Sequence, residues 1–349
     1  MASLSSTIKA VRQPDPRYQT LVLSDIPTPT LSGPDERLIR VRAAAPCRHE
    51  LTWELSTADA YTDAPDDRLR VPCTECAGVV VASGATDPDS APFKPGDEVF
   101  FRIEVGNVGC LRELTVARVA EMALKPKQLS WEEAAATPLS ALTAWQGLFT
   151  HSEGVLDGKA TRGDEEARKK NGKARVLITG AGGSVGGWAV QLAAAAGVGG
   201  IVALCGPSKE GFVRELGATE TIDYTKQSIA DWAAADPAAR ECDLVLDCVG
   251  GSTLAGCWAA VKAGGVLLTV SPKAGDALNP PPGARPVAKS AWFLVKALGG
   301  DLTEVAALME EGRCVPLLDS VFAFEDYQAA FDKLEAGTTK GKCVIRMPE

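Results

Sequence analysis

Over residues 1 to about 135, apolar and polar positions alternate in short stretches such as RLIRVR at 37–42 and EVFFRI at 98–103. Alternation of period two marks half-buried strands, and Pro95-Gly96-Asp97 is a turn signal ahead of the second stretch. From 138 to about 290 the pattern changes to uninterrupted apolar runs separated by helical segments. Strands are predicted at 175–179, 200–204, 222–223, 244–247 and 266–270, with helices at 184–196 and 209–216 between them. Strands alternating with helices imply a parallel, doubly wound sheet. The tail carries an amphipathic helix at 302–311, a strand near 320–322, a helix at 324–336 and a last strand at 343–346. The class is α/β, a β-rich region followed by a doubly wound one and a mixed tail. The charged run 158–173, GKATRGDEEARKKNGK, is predicted to be a solvated surface loop.

Composition narrows the field. The 349 residues allow two domains. A net charge of −9 argues against a nucleic-acid or membrane surface. Met1–Ala10 has no apolar core of a signal peptide, and the longest weakly polar run, 189–205, is broken by Gln191 and glycines. A soluble, cytoplasmic protein is expected. The ten cysteines are scattered through apolar segments, as buried reduced thiols would be. Cys73 and Cys76 form a C-x-x-C for which packed thiols, a metal site and a redox pair are all open readings.

Thr179 to Gly186, TGAGGSVG, follows a strand and opens a helix. Its A-x-G-x-x-G pattern, with Ala181 at the first glycine position, lets a backbone approach a pyrophosphate. The helix start then offers free N–H groups and a positive dipole end to the phosphates. Ala181, Gly183, Ser184, Val185 and Gly186 are the candidate contacts. The same stretch matches the nucleophile elbow G-x-S-x-G. A hydrolase of that kind needs a His after the Ser, and His49 and His151 both precede Ser184. The H-E-x-x-H pattern also fails, because Trp53 follows His49-Glu50-Leu51-Thr52. The second strand ends LCGPSK at 204–209 with no carboxylate before Glu210. A hydroxyl and a cation there suit a 2′-phosphate and so NADPH rather than NADH. Ser208, Lys209 and Tyr224 are assigned to that pocket.

Several stretches together carry a resemblance: FKPGDEV at 93–99, AAATPLSALTAW at 134–145, the segment 176–192, ELGA at 215–218 with IDY at 222–224, LDCVG at 246–250 and GKCVIR at 341–346. The chain resembles the medium-chain dehydrogenase/reductase superfamily, on its zinc-free quinone oxidoreductase and enoyl reductase branch. The resemblance implies a GroES-like catalytic domain at 1–138 and 291–349 and a Rossmann dinucleotide-binding domain at 139–290. It implies that Thr143, Cys248, Val249, Ser271 and Phe293 approach a nicotinamide and that Lys342 closes over the cofactor. Zinc relatives carry ligands at the position of Cys47, in a Gly-His-Glu where this chain has Cys73-Thr74-Glu75, and near Leu139 or Ser140. A catalytic zinc needs about three such ligands, and the set is incomplete, so no metal is expected.

The expected activity is metal-independent hydride transfer from NADPH to an activated alkene (an enone or enoyl thioester) or a quinone, a small-molecule substrate. Cys47, His49, Glu50 and Tyr61 are the candidates near the chemistry, His49 foremost because imidazole titrates near neutrality. The zinc-free branch often reads Asn-Pro-x-Asp where this chain has Pro46-Cys47-Arg48-His49-Glu50. That departure keeps two alternatives in view, a zinc-type alcohol dehydrogenase and a non-catalytic NADPH-binding sensor. The resemblance also implies a homodimer through the sheet edge near Val266 to Val270.

Overall fold

The computed structural model describes residues 5–62, 64–65, 68–87, 91–272 and 274–348. Residues 1–4 of the N-terminal stretch, and Asp63 beside the Tyr61 candidate, lie outside these. Among the described residues fifteen strands follow in chain order: β1 (Thr7–Arg12), β2 (Val22–Pro27), β3 (Glu36–Ala45), β4 (Glu75–Ser83), β5 (Glu98–Arg102), β6 (Leu114–Arg118), β7 (Met122–Leu124), β8 (Arg175–Ile178), β9 (Gly200–Cys205), β10 (Glu220–Asp223), β11 (Cys242–Asp247), β12 (Val261–Thr269), β13 (Lys289–Trp292), β14 (Leu318–Ala323) and β15 (Lys342–Arg346). The chain divides into two compact units.

The first unit comprises 1–139, 296–311 and 315–349. Its main sheet runs β14-β15-β3-β4-β5-β7, with β6 also pairing β3, and β1 pairs β2 apart from it. β15 lies parallel to β14 and antiparallel to β3. The C-terminal segment therefore completes a sheet begun near the N-terminus. Alternate residues of these strands enter one core with Ile39, Val41, Phe101, Leu111, Phe331 and Ile345.

The second unit comprises 140–295 and 312–314. Its six strands are all parallel in the order β10-β9-β8-β11-β12-β13. Strands covered on both faces read as continuous apolar runs, and Val176, Leu177 and Ile178 are fully buried. The order reverses between β8 and β11, the switch point at which doubly wound sheets bind ligands beyond the carboxyl ends of their strands. Among the described residues no helix is long and apolar enough to cross a membrane.

Three expectations change. The boundary stands at 295/296 rather than 290/291, because β13 adds a sixth strand to the parallel sheet. For the same reason Val266 to Val270 is not an edge: β13 lies outside β12, and the sheet's edges are β10 and β13. The charged run is not a loop. It forms a 3-10 turn at Gly158–Arg162 and an α-helix at Glu165–Asn171. Asp157 and Asp164 cap them by accepting from the Lys159 and Ala167 N–H groups. Ala160 and Ala167 pack on Ala196, while the buried Asn171 amide bonds Asp157 and the Ala196 carbonyl. The charges solvate one side, and a few small residues anchor the other.

Candidate active site

In the second unit the glycine loop takes its shape from the backbone. Gly180 has φ 59°, and the N–H of Gly183 donates to its carbonyl at 2.9 Å. A helix, Ser184–Ala195, starts directly after Gly183. A Cβ on Gly186 would stand 2.4 Å from the Gly180 carbonyl oxygen, so glycine is required for the helix to pack this closely. Gly183, Ser184 and Val185 are half-buried at the loop surface, while Ala181 and Gly186 are buried beneath it. The Lys209 side chain lies on Gly182 and donates to its carbonyl at 3.1 Å. Lys209 thus brings a cation from the end of β9 onto the loop. Ser208 and Tyr224 are exposed nearby, the Tyr224 hydroxyl close to Gly206. Glu210, the first carboxylate after β9, is engaged by Thr221 at 2.9 Å and Arg214 at 3.0 Å.

The other cofactor candidates are joined by a residue that sequence reasoning passed over. Asp247 is fully buried at the end of β11. Its Oδ1 accepts from the Thr179 hydroxyl at 2.6 Å and the Val249 N–H at 3.2 Å. Its Oδ2 accepts from the Thr269 hydroxyl at 2.7 Å and the Gly250 N–H at 2.8 Å. One carboxylate therefore ties the ends of β8, β11 and β12 together at the switch point. Thr179 in turn accepts the Cys248 N–H, and the Ser271 hydroxyl donates to the Val249 carbonyl. Cys248, Val249 and Ser271 are thereby held as one rim, on which burial pushes the Cys248 thiol up, away from thiolate chemistry. Thr143 is buried in the helix Pro138–Trp145. Phe293 follows β13 with its ring 4.5 Å from that of His151. The LDCVG stretch carried the signal for Asp247: an acid ending an otherwise apolar strand must be hydrogen-bonded.

The first unit builds its site from charged side chains. After β3 the chain turns through Pro46 to Glu50, and the Glu50 carboxylate reaches two loops. It accepts from the N–H of Cys47 and from that of Cys73, each at 2.9 Å. It thereby holds together the two stretches in which His49 (φ 62°) and Cys73 (φ 68°) adopt the left-handed conformation. Such strain persists where surrounding bonds enforce it. Burial pushes the Glu50 carboxyl up to about 7, against the lowering effects of the Cys47 N–H and Lys342. Burial likewise pushes the half-buried Cys47 thiol up to about 11, although Lys342 opposes it. Tyr61 is half-buried beneath the Arg68 guanidinium, 5.3 Å from its ring centroid, and burial raises its hydroxyl too.

Lys342 is a correction. Expected over a cofactor, it is buried within the first unit, its Nζ 2.7 Å from Glu75 Oε1, the two side chains 3% and 0% exposed. Glu75 Oε2 accepts the Leu139 N–H at 2.7 Å. Burial disfavours the ammonium, but Glu75 and Cys47 outweigh it and keep Lys342 protonated. A desolvated cation needs such a partner. His49 is held from outside: its N–H donates to Glu335 Oε1 at 2.6 Å, and its Nδ1 lies 2.9 Å from Glu335 Oε2. The first unit thus gathers Cys47, Glu50, Glu75 and Lys342, with Tyr61 near Glu50 and His49 drawn toward the helix Tyr327–Glu335.

Among the described residues, no group of three or more His, Cys, Asp and Glu side chains stands where it could hold a metal ion. The donors also suit zinc poorly. Glu75 is already neutralised by an ammonium, the Cys47 thiol is disfavoured from ionising, and Thr74 separates Cys73 from Glu75. Cys73, Cys76 and Cys110 are fully buried in the core of this unit.

Residues 33–127 match the family described as alcohol dehydrogenase GroES-like domain, and 216–345 that described as zinc-binding dehydrogenase. A probable zinc-binding oxidoreductase, mitochondrial, from Arthroderma benhamiae is 41% identical, over 99% of this chain and 100% of its own length. A 2-methylene-furan-3-one reductase from Solanum lycopersicum is 33% identical, over 89% of this chain and 71% of its own length. The structure of the quinone oxidoreductase from Coxiella burnetii superposes with a TM-score of 0.76 at 22% identity, over 98% of this chain and 100% of that one. The cytoplasmic expectation is overturned, since the A. benhamiae relative, matched along its whole length, is named mitochondrial. The chain belongs to the medium-chain dehydrogenase/reductase superfamily, as an oxidoreductase of the quinone and enone reductase type.

Proposed function

We propose that the protein is an NADPH-dependent reductase that delivers hydride to an activated alkene or a quinone without using zinc. The observation that carries this reading is the placement of Lys209. Its ammonium is fixed on the glycine loop, while the first carboxylate after β9, Glu210, is occupied by Arg214 and Thr221. A ribose 2′-OH asks for a free acid at this point; a 2′-phosphate asks for a cation and hydroxyls. Ser208 and Tyr224 add those hydroxyls. The name of the tomato relative describes a methylene group conjugated to a ring ketone, which supports an enone substrate. The mitochondrial designation of the fungal relative supports the same compartment here.

Bound NADPH supplies a hydride. Gly183, Ser184, Val185 and Gly186 would hold the pyrophosphate at a helix start, where free N–H groups and the dipole oppose its charge. The rim tied by Asp247 would hold Cys248, Val249 and Ser271, with Thr143 and Phe293, as the residues that meet the nicotinamide. A reduced enone gains hydride at the β-carbon and a proton at the α-carbon. Glu50, pushed up to about 7, holds a proton near neutral pH. His49, whose Nδ1 is engaged by Glu335, is a second candidate for proton transfer. Cys47 and Tyr61 remain protonated there. Lys342 lends positive charge to this group without leaving Glu75.

The test is fluorescence titration with NADPH and NADH on wild type and Lys209→Gln, with zinc assayed on the same samples. Tight NADPH binding, weaker NADH binding and a preference lost in the variant are expected. Stoichiometric zinc would favour the zinc dehydrogenase reading. Binding without turnover on any enone or quinone would favour a sensor.

A further inference from the structure

At the amino ends of the parallel strands, away from the cofactor candidates, the second unit has a recess of about 660 Å³. Its lining includes Lys169, Lys170, Lys173 and Lys262, facing Glu166 and Asp243. Lys169 and Lys170 come from the helix Glu165–Asn171, Lys173 from the connector into β8, and Lys262 from β12. Cations in the last turn of a helix also offset its dipole, but Lys173 lies beyond the helix and Lys262 on a strand. Four lysines from three elements thus line one hollow in a chain that carries −9 overall.

The local charges do not cancel. Lys262 is paired with Asp243, and Asp243 Oδ2 also accepts the Arg175 N–H at 2.8 Å. Lys170 donates to the Gly154 carbonyl. Lys169 and Lys173 are exposed and make no ion pair among the described residues. Like charges held near one another repel unless an anion joins them. The recess is of a size that takes a small ligand.

We propose that this recess binds a multiply charged, phosphate-bearing anion, with Lys169 and Lys173 as the principal contacts and Lys170 and Lys262 at its rim. The site is separate from the glycine loop, which lies at the carboxyl ends of the strands. Its ligand chemistry, clustered phosphate oxygens, is shared by soluble polyphosphates and by anionic lipid headgroups.

The experiment is calorimetric titration of the full chain with tripolyphosphate at low ionic strength. Wild type, K169Q/K173Q and K209Q are compared, with co-sedimentation on anionic and neutral phosphatidylcholine vesicles in parallel. K169Q/K173Q is expected to weaken tripolyphosphate binding about tenfold or more, because two exposed cations facing the anion are lost. K209Q should leave this binding in place, and added salt should weaken it. Co-sedimentation with anionic vesicles alone, dependent on the same lysines, would identify a lipid headgroup as the source; its absence would identify a soluble phosphate. Binding unchanged in K169Q/K173Q, binding lost in K209Q, or no binding of either probe would overturn the proposal. Both lysines are exposed, so an unchanged melting temperature shows that the variant is folded.

Discussion

The two units solve the same problem, holding a loop in an unfavourable shape, by different means. In the second unit the glycine loop relies on residues without side chains, and one buried carboxylate, Asp247, collects hydroxyl and amide donors from neighbouring strands. At the first unit's site the strained residues are His49 and Cys73, which are not glycines, and charged side chains enforce their shape. A backbone site suits a ligand with constant phosphates. A site of buried charges is sensitive to protonation, which suits proton handling.

The largest break should come from Lys342→Met. It leaves Glu75 buried without its partner, which removes about 3–5 kcal/mol of stability as read by urea unfolding. Adding Glu75→Gln should restore part of that loss. If the single change is silent, the pair does not anchor this site. Asp247→Ala should come next, costing about 2–4 kcal/mol because several donors lose one charged acceptor. Its specific readout is cofactor affinity: Cys248, Val249 and Ser271 lose their common tether, and dissociation constants should rise while the fold persists.

Protonation sharpens the contrast. Glu50 is raised to about 7 in the folded state, from 4.5. The folded state therefore binds more protons than the unfolded chain between those values, and this contribution to stability is present in acid and lost as pH rises through about 7. Unfolding midpoints should fall across that window by the equivalent of about 1–3 kcal/mol. Glu50→Gln should flatten the slope while lowering stability, since one amide oxygen cannot serve two N–H donors as well. An unchanged slope would assign the titration to another group. The smallest effect should be Glu335→Ala, about 0.2–1 kcal/mol, because the pair with His49 is partly exposed. A shift in the pH–rate profile larger than this stability change would tie Glu335 to the orientation of His49.

What the sequence revealed follows the same division. The apolar runs of β8, β9 and β11 and the glycine loop are local patterns, and they were legible. β13 was not, because KSAW is short and half-exposed, which is why β12 was taken for an edge. The charged run 158–173 hid its helix because three anchoring residues, Ala160, Ala167 and Asn171, are outnumbered by solvated charges. Lys342 was misjudged for a different reason. Its partner, Glu75, lies at the other end of the chain, and a side chain's destination in a sheet is set by strand pairing that no local pattern reports. Glu50 was singled out as reactive, yet its bonds to the Cys47 and Cys73 amides needed the fold to be seen.

The insertion of β8–β13 between β7 and β14–β15 also bears on how the molecule is made. On the ribosome the parallel-sheet unit is an almost unbroken stretch, free to fold once it has emerged. The sheet begun earlier must wait, with the β3 edge lacking β15 and with Glu75 lacking its counter-ion, until residues after 341 are synthesised. Long-range closure of this kind is slow. The buried-charge site of the first unit is therefore expected to mature after the glycine loop of the second, and on the function proposed above a nascent chain stalled before β15 should bind dinucleotide without turning substrate over.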